Sequence, residues 1–131
     1  MVTDPLGDFI VRLVNGGAVK KTVVSIPFSN LKMAVAEKLK DAGFIKAVEK
    51  KGKKVKKTLD VTLNYNEEGV HVIRGVKRVS KPGRRMYVSA REANPVRYGF
   101  GALVISTSKG IMTDKEARKA KMCGEALFQI W

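Results

Sequence analysis

The sequence predicts an α+β fold in two lobes. Residues 1–66 form an N-terminal α/β lobe of two helices on a small sheet, and residues 67–131 form a mainly β lobe with one short helix. Apolar residues at helical spacing alternate with short strand-like runs in the first half, whereas the second half is mostly strand-like. With 44% hydrophobic residues, the chain has enough apolar material for a core.

Two helices are predicted in the first lobe. Apolar residues from Leu6 to Val14 recur at helical spacing, and Asn15-Gly16-Gly17 is expected to end this helix. Ser29 is a suitable cap for a second helix that ends at Gly43. The strands of this lobe are predicted at residues 23–26, 44–50 and 57–65. The last of them alternates, with four side chains facing the core, namely Leu59, Val61, Leu63 and Tyr65.

The second lobe is predicted to begin after the polar turn at residues 66–69. Its strands are expected at residues 70–79, 86–89, 100–105 and 126–131. Turns at residues 81–83 and 93–95, which contain Pro and Gly or Asn, separate the earlier strands. Thr113 with Glu116 three positions later fits a capping box and predicts the start of the single helix.

Three hydroxyl residues and one cation stand between a buried strand and that helix. Ser106, Thr107 and Ser108 follow the apolar strand, Lys109 adds a charge, and Gly110 permits a sharp turn. RNA suits such a turn, because its 2′-hydroxyl both donates and accepts hydrogen bonds and its irregular regions expose base edges. The other interpretation is an ordinary polar loop ahead of a helix.

The net charge of +14 on 131 residues favours a polyanionic partner, and both halves carry the excess. Residues 49–57 contain a run of lysines around one glycine and are expected to form a hairpin tip. Lys53, Lys54 and Lys56 are candidate phosphate contacts that would add affinity without reading sequence. A merely solvated loop is the other interpretation of this run.

Catalysis and metal binding find little support in the sequence. Cys123 is the single cysteine and His71 the single histidine, so neither a disulfide nor a metal cluster is expected, and Cys123 is assigned a packing role. Asp4 and Asp8 are explained by the start of a helix. Gly99-Phe-Gly101 lacks the remaining features of a dinucleotide fingerprint. We therefore expect no enzyme activity and no cofactor. Without a secretory signal or a membrane-spanning run, we expect a cytoplasmic protein that does not enter a membrane.

The stretch from Ser106 to Arg118, followed by Gly124-Glu125, closely resembles the C-terminal signature of the bacterial small-subunit ribosomal protein eight family. The segment Thr3-Asp-Pro-Leu-Gly-Asp8 with Arg12 resembles the family's first helix. Pro82-Gly-Arg-Arg-Met-Tyr87 resembles the opening of its C-terminal part. The resemblance covers nearly the whole chain and implies the same two-lobed α+β arrangement.

The resemblance implies a structural role in the small ribosomal subunit, where the protein binds an irregular helix in the central domain of 16S-type ribosomal RNA during assembly. It further implies contacts with neighbouring subunit proteins, protein five among them, and in many bacteria repression of the protein's own operon through a similar messenger structure. The implied RNA-binding residues are Ser106, Thr107, Ser108, Lys109, Gly110, Tyr87, Arg84, Arg85 and Glu125.

Some of these assignments compete with simpler ones. Tyr87 is either a stacking residue or a core aromatic. Arg84 and Arg85 are assigned to phosphates, because no acidic partner is near in sequence. Arg12 is a candidate phosphate contact on the first helix, where Val14 occupies a place at which the family often carries a second basic residue.

Cys123 stands where the family commonly has glycine. The main alternative function is a general RNA- or DNA-binding protein outside the ribosome, and a peripheral binder of anionic lipid comes third.

Overall fold

A computed structural model describes residues 4–52, 55–89, 91 and 100–131 of the chain. Within these residues lie three helices and eight strands. The helices are α1 (Pro5–Ala18), α2 (Asn30–Asp41) and α3 (Asp114–Ala120). The strands are β1 (Val23–Pro27), β2 (Ile45–Lys51), β3 (Thr58–Leu63), β4 (Val76–Arg78), β5 (Tyr87–Val88), β6 (Ala102–Thr107), β7 (Gly110–Thr113) and β8 (Gly124–Ile130). The predicted α+β class is confirmed.

Compactness divides the chain into two units, Asp8–Arg74 and Gly75–Trp131, the latter together with the first residues up to Gly7. We call them the N-terminal unit and the C-terminal unit. The predicted lobe boundary at residues 66 and 67 concerns domains and stays a prediction, because compactness alone does not show which part folds by itself.

The N-terminal unit contains a three-stranded antiparallel sheet in the order β1-β3-β2. The alternation predicted for the last of these strands is confirmed for Leu59, Val61 and Leu63, which are buried, while Tyr65 lies beyond the strand and is partly buried. Ser29 caps α2 as predicted, since its side chain accepts a hydrogen bond from the Lys32 N–H at 3.1 Å. Helix α2 packs on β2.

Helix α1 does not end at the two glycines, as the sequence indicated, but continues to Ala18. Both glycines are buried because the helix approaches its neighbours closely there. A Cβ on Gly16 would lie 2.7 Å from Val24 Cγ2, and a Cβ on Gly17 would overlap the His71 ring. These glycines are therefore packing residues rather than a helix stop.

His71 is buried beneath this helix end. Its ring lies 5.4 Å from the Tyr65 ring, and its Nε2 atom is buried without a hydrogen-bond partner among the described residues. Burial lowers the pKa of His71 below its ordinary value of 6.5, because the charged imidazolium loses its hydration. The neutral ring is thus the form that the folded unit accommodates.

The C-terminal unit contains a five-stranded antiparallel sheet in which β4-β8-β6-β7 are successive neighbours and β5 also pairs with β8. Its core includes Leu103, Ile105, Ala117 and Ala126. The predicted capping box of α3 is confirmed. The Thr113 side chain accepts from the Glu116 N–H, and the Glu116 carboxylate accepts from the Thr113 N–H.

Two strand predictions need correction. The strand expected at residues 70–79 is confined to Val76–Arg78, because the chain before it is taken up by a turn around Asn66 and an isolated bridge between Tyr65 and His71. Strand β7 was not predicted. It forms because Gly110, at φ 106°, turns the chain back on β6 and makes the expected loop a β-hairpin.

Asp4, just before α1, pairs with Arg78 on β4 within the C-terminal unit. Its carboxylate accepts two hydrogen bonds from the Arg78 guanidinium, at 3.0 and 3.1 Å. Burial by itself raises the pKa of Asp4, but the hydrogen bonds from Arg78 and from the Gly7 backbone outweigh burial and leave the pKa lower than usual. The ionised carboxylate therefore acts as a structural clamp as well as a helix cap.

Candidate nucleic-acid interface

The predicted hydroxyl-rich turn is the tip of the hairpin between β6 and β7. Thr107 pairs with Gly110 across the tip. The Thr107 hydroxyl donates to the Gly110 carbonyl at 2.7 Å and accepts from the Lys109 N–H at 3.1 Å. Its proton is therefore committed inside the turn, whereas Ser108 and Lys109 are exposed at the tip. Thr107 therefore stabilises the turn on which Ser108 and Lys109 are exposed.

Three of the predicted residues form one row across three strands. Tyr87 on β5 is opposite Glu125 on β8, and Glu125 is opposite Ser106 on β6. Directly paired residues in an antiparallel sheet project to the same face. We call Tyr87, Glu125 and Ser106 the polar row. Residues distant in the chain are thus brought side by side by strand register.

Gly124 allows β8 and β6 to come close at the polar row. A Cβ on Gly124 would overlap the carbonyl oxygen of Ser106, and it would lie 3.0 Å from Ile105 Cγ2. The obstacle is backbone, which cannot rotate away. Glycine at this position is therefore a steric requirement for the spacing between Ser106 and Glu125.

The Tyr87 ring is available to a ligand. Its residue is 68% exposed, so the alternative assignment as a core aromatic is wrong. An exposed tyrosine on a short strand provides a flat face for stacking and a hydroxyl for a hydrogen bond. Tyr87 stands at one end of the polar row.

Arg85 has the acidic partner that the local sequence lacks. Its Nη1 atom lies 3.1 Å from Glu125 Oε2, a partner that is distant in sequence, and the assignment of Arg85 to phosphate stays a prediction. The pair is half exposed on the arginine side, which leaves donors of the guanidinium directed to solvent. Arg84 is exposed beside it, at a tight turn closed by reciprocal backbone hydrogen bonds with Lys81.

The side chains predicted as auxiliary phosphate contacts do not belong to the polar row. Arg12 is exposed on α1 and Lys56 is exposed between β2 and β3, both in the N-terminal unit. Lys53 and Lys54 lie outside the described residues. Within the same lysine run, Lys50 Nζ lies 4.5 Å from the centroid of the Phe28 ring, and Lys51 Nζ lies 3.7 Å from Asp60 Oδ2. Part of the run therefore has partners on its own sheet.

The structure adds residues that the sequence did not reveal. Asp114 is buried, accepts the Leu103 N–H at 3.1 Å and pairs with Arg118 at 2.8 Å, which fastens α3 to β6 behind the hairpin. Cys123, assigned a packing role, is exposed. Spacing alone did not signal the Asp114 contact, because Leu103 and Asp114 meet only when α3 packs on β6.

A positively charged α+β chain with an ordered polar row beside exposed arginines has the features typical of a folded nucleic-acid-binding protein. The family model for Ribosomal protein S8 matches residues 4–131, and the chain belongs to that family. No helix in the described ranges is long and apolar enough to cross a membrane.

Several relatives are similar to this chain over its whole length. A protein named small ribosomal subunit protein uS8 from Mycoplasma mobile is 47% identical over 131 residues, which covers 100% of this chain and 98% of the relative. The protein of the same name from Halothermothrix orenii is 44% identical over 130 residues, covering 99% and 98%. The one from Clostridium botulinum (strain Eklund 17B / Type B) is 43% identical and covers 100% and 99%.

Proposed function

We propose that this protein is a structural constituent of the small ribosomal subunit that binds an irregular helix in the central domain of 16S-type ribosomal RNA during assembly. The polar row and the hairpin tip form the RNA-reading surface. The observation that carries this proposal is the register that aligns Tyr87, Glu125 and Ser106 on one face beside an exposed hydroxyl and cation.

The chemistry of this surface favours irregular RNA over a regular duplex. Ser106, Ser108 and Glu125 offer donors and acceptors for base edges and 2′-hydroxyls, and Tyr87 offers a ring for an unstacked base. Arg84, Arg85 and Lys109 supply charge for phosphates. Because the polar groups are fixed by strand pairing, few side chains have to become ordered on binding.

The remaining cations add affinity without selectivity. Arg12 and Lys56 are exposed on the N-terminal unit, and Lys53 and Lys54 belong to the same basic run in sequence. Contacts of lysine and arginine with phosphate position an RNA but do not read its bases. We assign these side chains to auxiliary phosphate contacts.

Family membership supports the finer parts of the proposal. The protein acts in the cytoplasm as part of the ribosome, contacts neighbouring subunit proteins that include protein five, and performs no catalysis. Repression of its own operon would use the same surface, because a messenger structure that resembles the ribosomal site presents the same groups.

Crosslinking to total cellular RNA tests the ribosomal role. The tagged protein is crosslinked in its own cells, and the attached RNA positions are mapped. We expect one dominant location, in the central domain of the small-subunit ribosomal RNA, with peptide crosslinks at Tyr87 and in the hairpin tip. Many scattered RNA locations would instead indicate a general RNA-binding protein.

A salt titration distinguishes RNA reading from charge attraction. Affinities are measured for a transcript of the central domain, a perfect RNA duplex and duplex DNA of equal length. Nonspecific contacts weaken steeply with salt, whereas base and ribose contacts do not. We expect the preference for the transcript to grow as salt rises. Equal affinities at every salt concentration would contradict selective reading.

A further inference from the structure

A fully buried serine lies behind the polar row. Ser80 follows β4 and has no exposed surface. Its N–H donates to the Ala126 carbonyl at 3.0 Å and to the Leu127 carbonyl at 3.3 Å, so its backbone is held on β8. This anchoring places its side chain between β8 and the segment that leads into β5.

The Ser80 hydroxyl both donates and accepts a hydrogen bond. It donates its proton to the Glu125 carboxylate and accepts a hydrogen bond from the Met86 N–H at 3.1 Å. A serine hydroxyl has one proton, so the donor capacity of this side chain is fully used. One side chain therefore connects the acidic residue of the polar row with the peptide that precedes Tyr87.

The neighbouring bonds extend this connection to the whole segment from Arg85 to Tyr87. The Glu125 oxygen that accepts the Ser80 proton also lies 3.1 Å from Arg85 Nη1. The Met86 carbonyl in turn accepts a hydrogen bond from the Ala126 N–H at 2.9 Å. Met86 is thus held through both its amide and its carbonyl, which fixes the backbone from which Arg85 and Tyr87 project.

We propose that Ser80 is a positioning residue for RNA reading, whose buried hydroxyl sets the places of Glu125, Arg85 and Tyr87. The inference rests on the proposed function, since it concerns the same surface. Ser80 itself is buried and does not touch the RNA. It acts on the ligand only through residues that do.

Loss of the hydroxyl has a specific consequence. In Ser80→Ala, the Met86 N–H loses its acceptor and Glu125 Oε2 keeps only Arg85 as a donor, and an unsatisfied buried group is costly. Relief comes when the segment moves toward water, which displaces Tyr87 and frees Arg85 from its fixed position. RNA contacts that depend on the exact position of a side chain become weaker, while the attraction between arginine and phosphate persists. A purely structural serine would lower stability without changing selectivity.

The test compares Ser80→Ala with a matched control. Ser29 in the N-terminal unit also accepts a backbone hydrogen bond at 3.1 Å, so Ser29→Ala removes a structural serine hydroxyl away from the polar row. Both full-length variants are assayed at a temperature where circular dichroism shows them folded. The probes are the central-domain transcript and a perfect RNA duplex of equal length.

We expect Ser80→Ala to reduce the ratio of transcript affinity to duplex affinity roughly tenfold, as expected for the loss of one well-placed contact. Ser29→Ala leaves the ratio unchanged. Hydrogen exchange of the Met86 amide becomes faster in Ser80→Ala, because its acceptor is gone. With Tyr87→Ala in the background, the further loss caused by Ser80→Ala shrinks, since both changes remove the same contact.

An unchanged ratio in folded Ser80→Ala, together with faster exchange at Met86, overturns the positioning role. If Ser80→Ala does not fold, Ser80→Cys keeps nearly the same shape with a weak donor and acceptor, and the same fall in the ratio is required of it. A parent protein without preference for the transcript overturns the proposed function as well. A parent preference that survives in the Ser80 variants overturns this inference alone.

Discussion

The two units hold their polar groups in different ways. In the N-terminal unit, Arg12 and Lys56 are exposed on a helix and beside a hairpin that form from neighbouring segments of the chain. In the C-terminal unit, Tyr87, Glu125 and Ser106 are aligned by strands that are far apart in sequence. In the proposed function this difference separates affinity from selectivity, because charge needs only exposure, whereas reading a ligand needs fixed position.

The largest effect is expected where the alignment depends on backbone contact. Gly124→Ala places a methyl group against the Ser106 carbonyl, so β6 and β8 must separate. We expect the free energy of unfolding to fall by about 3 kcal/mol in chemical denaturation, at the upper end of the range for overpacking. Gly83→Ala is the control, since a Cβ there meets nothing within 4 Å. Equal stability of the two variants would mean that the close approach at Gly124 is not required.

Removal of the exposed Tyr87 ring tests whether the C-terminal unit binds RNA selectively. Tyr87→Ala is expected to weaken binding of the central-domain transcript by about 1 to 3 kcal/mol, the usual value for a lost base stack. Tyr87→Phe, which keeps the ring, should lose less. Filter binding of both variants gives the comparison, with thermal melts to show that each is folded. An equal loss in Tyr87→Phe would assign the effect to the hydroxyl instead.

The N-terminal unit has a pH dependence of its own. Well above pH 6.5 the His71 imidazole is neutral in both the folded and the unfolded state. As pH falls below 6.5, the unfolded chain binds a proton that the folded protein takes up only at lower pH, so stability decreases. The chain has one histidine, so this window reports mainly on His71.

Urea unfolding between pH 7.5 and 5 measures this dependence. The parent should lose stability across the window, and a folded His71→Gln variant should show a flatter profile. Identical slopes in the two proteins would show that another group titrates on unfolding.

The smallest effect is expected from the basic run. Replacing Lys53, Lys54 and Lys56 by Gln should weaken binding to every RNA alike. The slope of log affinity against log salt should flatten by roughly 0.7 to 0.9 per lost phosphate contact. The triple replacement of Lys32, Lys40 and Lys46 by Gln removes the same charge elsewhere in this unit. If both triples change the slope equally, the run contributes only net charge.

The local features of this fold were predictable because they depend on neighbouring residues. The capping box at Thr113, the cap at Ser29 and the alternation around Val61 follow from short spacings and are confirmed. The glycines of α1 misled the prediction. Glycine marks a helix end in sequence, but at Gly17 it makes room for a histidine more than fifty residues later in the chain.

The candidate site was predictable by residue type and not by geometry. The hydroxyls of the tip and Glu125 could be named from the sequence, but the pairing of Tyr87 with Glu125 depends on long-range register. The same register buries Ser80 and brings Arg85 to its acidic partner. No local pattern signals such contacts, because they arise only when strands distant in the chain pair.

We propose that the C-terminal surface, and not net charge, selects the RNA. The most direct measurement is the affinity of Ser108→Ala for the central-domain transcript and for a perfect duplex of equal length. Ser108 is exposed at the hairpin tip, so its removal should leave the melting temperature unchanged. We predict a loss of about 1 to 3 kcal/mol on the transcript and almost none on the duplex. Undiminished binding of the transcript by folded Ser108→Ala would show that the hairpin tip does not read the RNA.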